Sequence, residues 1–173
     1  MTKKEFMNSV INGQEDILQQ LLDLLNEMKI DYCVIGGLAV NAYVEPVVSL
    51  DLDIVVVAEA IDRLIKAVEK IFNIDKFPHR FNLSSSKSDL RIQLQMDPRY
   101  QPFIFRSTIK DVIGYKMKVA TVEDILHGKV WAYSDEQRRK SKRQKDLADI
   151  FRLVEVYPNL TDLLPESIRY TGV

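Results

Sequence analysis

Cysteine is nearly absent from this chain. Cys33 is the only one, so no intrachain disulfide framework can hold the fold, and a reducing compartment is expected. Histidine is almost as scarce: His79 and His127 lack metal-ligand spacing and read as ordinary residues. An excess of charge is missing too. The 24 basic and 25 acidic side chains leave a net charge of −1, which makes no global case for nucleic acid or an anionic membrane, so any such case must rest on local clustering. No apolar run approaches the ~20 residues that span a bilayer. Met1–Glu5 leads into an amphipathic pattern without a signal-peptide core. The expected location is the cytoplasm, with no membrane partner. Repeats, low-complexity tracts and a dividing linker are absent as well. The 173 residues, 46% hydrophobic, are therefore expected to form one unit with a sizeable core.

What is present centres on residues 34–57. Asp51 and Asp53 interrupt the apolar run Leu50–Val57. The strand period of two puts both carboxylates on one face, about 7 Å apart along the strand, with Leu50, Leu52, Ile54 and Val56 on the other. Ionised groups resist desolvation, so this pair needs compensation. A divalent cation is the natural one, because hard cations take carboxylate oxygens. Upstream, Asp31–Ile35 reads as a buried strand, Gly36-Gly37 as a turn, and Leu38–Tyr43 as a short helix ended by Pro46. Such a turn lets backbone N–H groups approach an anion closely. Gly-Gly and Asp-x-Asp are each weak signals. Separated by thirteen residues, they fall at the same end of adjacent strands and supply phosphate donors and metal-holding acids, the two requirements of phosphoryl transfer.

The remaining pattern predicts an α/β fold: a small mixed sheet with helices packed on it and a helical C-terminal part. Apolar periodicity marks helices over 12–29 and 58–72. A hairpin follows, with arms His79–Leu83 and Leu90–Met96 and a turn at 84–88. Residues 97–114 read as irregular, with an exposed-looking aromatic group of Tyr100, Phe103 and Phe105, and Tyr115–Val119 as a last strand. Capping boxes at Thr121–Asp124 and Ser134–Gln137 open helices over 121–132 and to about 156, with a short one near 160–164. The expected division is a core over 1–120 and a helical part over 121–173.

The order of these pieces resembles the nucleotidyltransferase superfamily, the polymerase-beta-like group whose signature is a hydrophobic strand, Gly-Gly or Gly-Ser, then Asp-x-Asp or Asp-x-Glu. Gly36, Gly37, Asp51 and Asp53 match it. The chain is most similar to the minimal, abortive-infection-toxin-like branch, whose acidic strand often reads Arg-x-Thr-x-Asp-x-Asp. Here Ser49 stands for the Thr, and Val47 occupies the Arg position. Val122–Leu126 with Lys129 resembles the branch's Glu-Asp-Leu…Lys helix, and Lys145–Ile150 its Lys-Asp-x-x-Asp helix. The resemblance covers residues 30–155. It implies transfer of a nucleoside monophosphate from an NTP to a hydroxyl of an RNA, protein or small-molecule acceptor. It also implies Mg²⁺ or Mn²⁺ on Asp51 and Asp53, phosphate contacts from Gly36, Gly37 and Ser49, and charge neutralisation by Lys129 or Lys145. An antitoxin partner is implied as well.

One position departs from this pattern. Catalytic members carry a third acid on a later strand, and here the expected place holds Gln93, which can offer an oxygen but is a poor base. Asp89 and Glu123 are the alternative acids. A second reading is therefore a nucleotidyltransferase-like binding module without catalysis. A third is a nucleic-acid binder using the basic stretch 138–145, which reads equally as a solvated helix face. Lys145 has a structural alternative too, an i,i+4 pair with Asp149, and Asp146 and Asp149 read as structural. Trp131 and Tyr133 fit core packing, and Cys33, in a buried strand without a His partner, is not a nucleophile.

Overall fold

A computed structural model describes residues 1–169; the end of the expected helical part, 170–173, lies outside them. The elements are α1 (Lys3–Val10), α2 (Ile17–Glu27), β1 (Tyr32–Ile35), α3 (Gly36–Val40), β2 (Asp51–Val56), α4 (Ile61–Val68), β3 (Asn73–Phe77), β4 (Arg80–Ser85), β5 (Ser88–Gln95), α5 (Gln101–Arg106), β6 (Thr108–Val112), β7 (Tyr115–Val119), α6 (Val122–Ser134), α7 (Lys140–Val156) and α8 (Glu166–Arg169), with 3₁₀ turns at Ala58–Ala60 and Pro158–Leu163. Among these residues the strands form one seven-stranded sheet in the order β3-β4-β5-β2-β1-β7-β6. It is mixed, because β2 runs parallel to β5 and β1 parallel to β7 while the other pairs are antiparallel. The α/β expectation holds.

β2 sits in mid-sheet because it can be buried there. Leu52, Ile54, Val55 and Val56 are fully enclosed, while Asp51 and Asp53 stay half-exposed on the face opposite Leu52 and Ile54. The apolar stripe of α2 (Leu18, Leu21, Leu22, Leu25) is buried in the same core as the interior of β1 and β2. α7 packs on α6, and both touch α3, so the C-terminal helices close over the end of β1 where the Gly-Gly turn lies.

Several expectations need correction. α1 was not foreseen: Thr2 and Glu5 form a reciprocal capping box, and Met7 buries against the core. The helix expected over 12–29 begins only at Ile17, where Asp16 caps it. The helix expected over 58–72 starts as a 3₁₀ turn and stops at Val68, because residues 73–77 form β3. β3 and β6 are the sheet's edge strands, and their mostly exposed side chains carry no apolar alternation. The stretch 97–114 is not irregular but holds α5 and β6. Its aromatic group divides, with Tyr100 and Phe103 buried and Phe105 79% exposed. Trp131 packs on both buried rings, stacked on Phe103 at 5.7 Å and edge-on to Tyr100 at 5.3 Å. The Ser134 capping box does not form. α6 continues through Ser134 and α7 starts at Lys140, with a turn between them.

Candidate active site

The β1–β2 register sets Ile35 opposite Asp53, so the Gly36 turn and the acidic pair meet at one end of neighbouring strands. Gly36 has φ +76°, and a Cβ there would run into the Asp53 carboxylate, so only glycine allows both the turn and the acid to stand where they do. A Cβ on Gly37 would meet the Asp149 carboxylate and the Ser49 hydroxyl only at 3.8 Å, an ordinary contact. The connector from α3 to β2 is pinned by buried Asn41, whose amide donates to Val47 O at 2.7 Å and accepts from Val47 N at 3.0 Å. Ser49 then accepts from the Asp51 amide at 3.2 Å and thereby orients the start of β2.

On the other side, β2 pairs in parallel with β5, placing Gln93 opposite Asp53 and Arg91 opposite Asp51. The expected third-acid place is thus occupied by Gln93, whose neighbour on β4 is Asn82. The two alternative acids lie elsewhere: Asp89 accepts from Asn12 at 2.5 Å, and Glu123 is exposed in the first turn of α6. Arg91 was not singled out from sequence. It grips Asp51 with both arms, Nε to Oδ1 at 2.7 Å and Nη2 to Oδ2 at 3.3 Å. Its position two residues before Gln93 was the one available signal.

Lys129 is 9% exposed and reaches the same space from α6. It makes ion pairs of 3.2 Å with Asp146 and 2.9 Å with Asp149. Arg138 joins Asp146 at 2.7 Å, and Arg152 joins Asp149 at 2.8 Å. Burial works against the Lys129 charge, but Asp149, Asp146 and Asp53 outweigh it and hold the ammonium above its ordinary pKa. Asp53 moves up as well: burial is the main cause, Lys129 opposes it, and Asp51 adds to it. Lys145 is exposed at the cleft mouth. The Lys145–Asp149 pair is not formed, since Lys129 and Arg152 hold that carboxylate. Cys33 stands apart, buried, its thiol pushed up to about 12 by burial first and Asp124 second.

Two cavities meet at Asp53, Gln93, Lys129 and Arg138. One, of about 280 Å³, is lined by Gly37, Ser49, Asp51, Lys142, Lys145 and Arg152. The other, of about 630 Å³, runs past Gln95, Arg80, Arg99, Tyr100 and Trp131. Basic side chains line both cavities, with carboxylates among them in the first and aromatic groups added in the second; Asp53 and Asp146 stand at the join and Asp51 beside it.

Solved structures with the nucleotidyltransferase fold share this architecture. The lincosamide antibiotic adenylyltransferase LnuA, bound to lincomycin, superposes with a TM-score of 0.57 at 16% identity, over 82% of this chain and 99% of that one. The antibiotic-resistance factor ANT(2'')-Ia gives 0.63 at 14%, over 88% and 89%. An antigenic nucleotidyltransferase-like protein from Paracoccidioides brasiliensis gives 0.53 at 21%, over 89% and 78%. At such identities the likeness is one of fold. No curated protein matches the chain in sequence. The family model for the nucleotidyl transferase AbiEii toxin of type IV toxin–antitoxin systems matches residues 25–172. The chain belongs to this family and is a nucleotidyltransferase of the toxin type.

Proposed function

We propose that the cleft moves a nucleoside monophosphate from an NTP to a hydroxyl of an acceptor with the help of Mg²⁺ or Mn²⁺. The observation that carries this reading is the meeting of Asp51 and Asp53 with the Gly36 turn at the join of two cavities that basic side chains line. The donor set suits a hard cation: two carboxylates, with the Gln93 amide oxygen beside Asp53. Among the described residues no third His, Cys, Asp or Glu joins them as a metal cluster, which leaves further oxygens to come from the triphosphate and water. Asp51 and Asp53 would hold such a cation, which would supply Lewis-acid stabilisation of the charge that develops on the phosphate.

The chain's own groups do the rest. Gly36 and Gly37 leave the backbone open to the β- and γ-phosphates, and Ser49 lies beside them. Lys145 and Lys142 offer charge to the phosphate tail from the cleft mouth. Lys129 is held close to Asp53 by its own two carboxylates. The acceptor oxygen bonds to the α-phosphorus, the α–β bridging bond breaks, and pyrophosphate leaves. Gln93 cannot take the acceptor's proton, and the carboxylate opposite it across the β2–β5 register is Asp53. The acceptor is an RNA, a protein or a small molecule, and family membership adds an antitoxin partner to the proposal.

Calorimetry tests the metal-site assignment. Asp51→Asn and Asp53→Asn are expected to abolish metal-dependent NTP binding, and unchanged binding would overturn the assignment. A second reading, a nucleotide-binding module without catalysis, is favoured by Gln93 in the acid's place. It predicts NTP binding with no labelled product in a cell extract.

A further inference from the structure

Resting on the reading just given, we propose that this site works with a single divalent cation, and that Arg91 and Gln93 together replace the charge of a second. The two residues lie in successive same-face rows of the sheet. Arg91 is opposite Asp51 and Gln93 opposite Asp53. A carboxylate in the place of Gln93 would be one of the bridging acids that let two cations approach to ~3.5–4 Å in two-metal sites. The amide leaves that charge out. Arg91 adds one more positive charge, through a fork that engages both oxygens of Asp51 at 2.7 and 3.3 Å. Relative to a three-acid set, each change makes the site one unit more positive, so the pair matches the charge of one divalent cation.

No other acid repairs the deficit. Asp146 is shared by Lys129 and Arg138, and Asp149 by Lys129 and Arg152. Asp89 is bonded to Asn12 two same-face rows before Gln93 on β5, Asp135 accepts from the Gln137 amide at the wall of the larger cavity, and Glu123 is exposed on α6. A second cation would meet Asp53, an Asp51 whose two oxygens are already engaged from outside the cavities by the exposed Arg91 guanidinium, and the basic groups Lys129, Arg138 and Lys142. A single cation is not excluded in this way. A carboxylate has about four lone-pair positions, so Asp51 can keep Arg91 and still give an oxygen to the ion that arrives with the nucleotide.

The test is manganese stoichiometry by electron paramagnetic resonance, using the full chain with a saturating non-hydrolysable NTP analogue bridged by methylene between the α- and β-phosphates. The expected result is one Mn²⁺ per chain with an uncoupled spectrum. Two coupled ions per chain would overturn this inference and leave the catalytic reading standing. No bound ion would overturn the catalytic reading and this inference with it. The double variant Arg91→Gln, Gln93→Asp is expected to take up a second, coupled ion, with circular dichroism reporting that it is folded. Should that variant not fold, Gln93→Asp alone, which keeps the Arg91 pair, is expected to acquire a second, weaker Mn²⁺ site. A folded variant that still binds one ion at all manganese concentrations contradicts the proposal.

Discussion

Asp53 stands in a conflict that its position creates and a divalent cation held with Asp51 would relieve. Partly buried beside Asp51, it has its carboxyl held above the ordinary carboxylate value, by desolvation first. A carboxyl whose folded pKa exceeds its unfolded one binds more protons in the folded state through the interval between the two. Stability therefore falls as pH rises from the ordinary carboxylate pKa through the raised one, and ionised Asp53 weighs against the fold above that interval. Asp53→Asn is expected to melt at a higher temperature than the parent at pH 7, with that gain shrinking as the pH is lowered through the interval, while nucleotidyl transfer is lost. Differential scanning calorimetry across pH, beside a transfer assay, reads both. The adjacent glycines separate in the same manner. Gly36→Ala must adopt positive φ and displace the Asp53 carboxylate, so it is expected to lose at least ~1–2 kcal/mol in urea unfolding. Gly37→Ala has room for its methyl group and is expected to leave stability within ~1 kcal/mol of the parent. It should nonetheless weaken NTP binding, because the methyl group stands where phosphate would approach.

At the scale of elements, α6 and α7 are joined through buried charge. Lys129 is the shared cation between Asp146 and Asp149. Lys129→Met leaves two buried carboxylates with one arginine each, and the expected loss is roughly 3–5 kcal/mol, read from the shift of a denaturant midpoint at unchanged slope. These helices were legible in the sequence because their apolar period is long, and for α6 because Thr121 caps it by accepting from the Asp124 amide at 3.1 Å; the start of α7 was misplaced because it carries no side-chain cap. β1, β2 and the Gly-Gly turn were legible for a related reason: buried strands read as continuous apolar runs, and acids within them stand out. β3 and β6 were not, since an edge strand with exposed side chains lacks the alternation that marks a half-buried one. α5 is six residues long with Pro102 at its start, too short to show a helical period. The Arg91–Asp51 pair escaped for another reason. It depends on the parallel β2–β5 register across a crossover of many residues, and no local pattern records that register. The alternation of β5 was readable by itself and put Gln93 on the polar face, while its place opposite Asp53 rests on that same register.

For the molecule as a whole, a net charge of −1 conceals an uneven distribution. Basic groups of α7 and the turn before it gather at the cleft, where Arg138, Lys142, Lys145 and Arg152 line one cavity. NTP binding is accordingly expected to weaken as salt is raised, because exposed Lys145 and its neighbours act through water and are screened over about 8–10 Å near physiological ionic strength. Calorimetry from low to high salt checks this, and a salt-independent Kd would remove the basic mouth from phosphate recognition. The central claim is that Asp51 and Asp53 support transfer of the α-phosphoryl nucleotide. The most direct measurement incubates the protein with Mg²⁺ or Mn²⁺, a cell extract, and NTPs labelled in parallel at the α- or the γ-phosphate. Label is expected in a product from the α-position alone, and none with Asp51→Asn or Asp53→Asn. Incorporation from the γ-position, or equal incorporation by the Asp53→Asn variant, would contradict it.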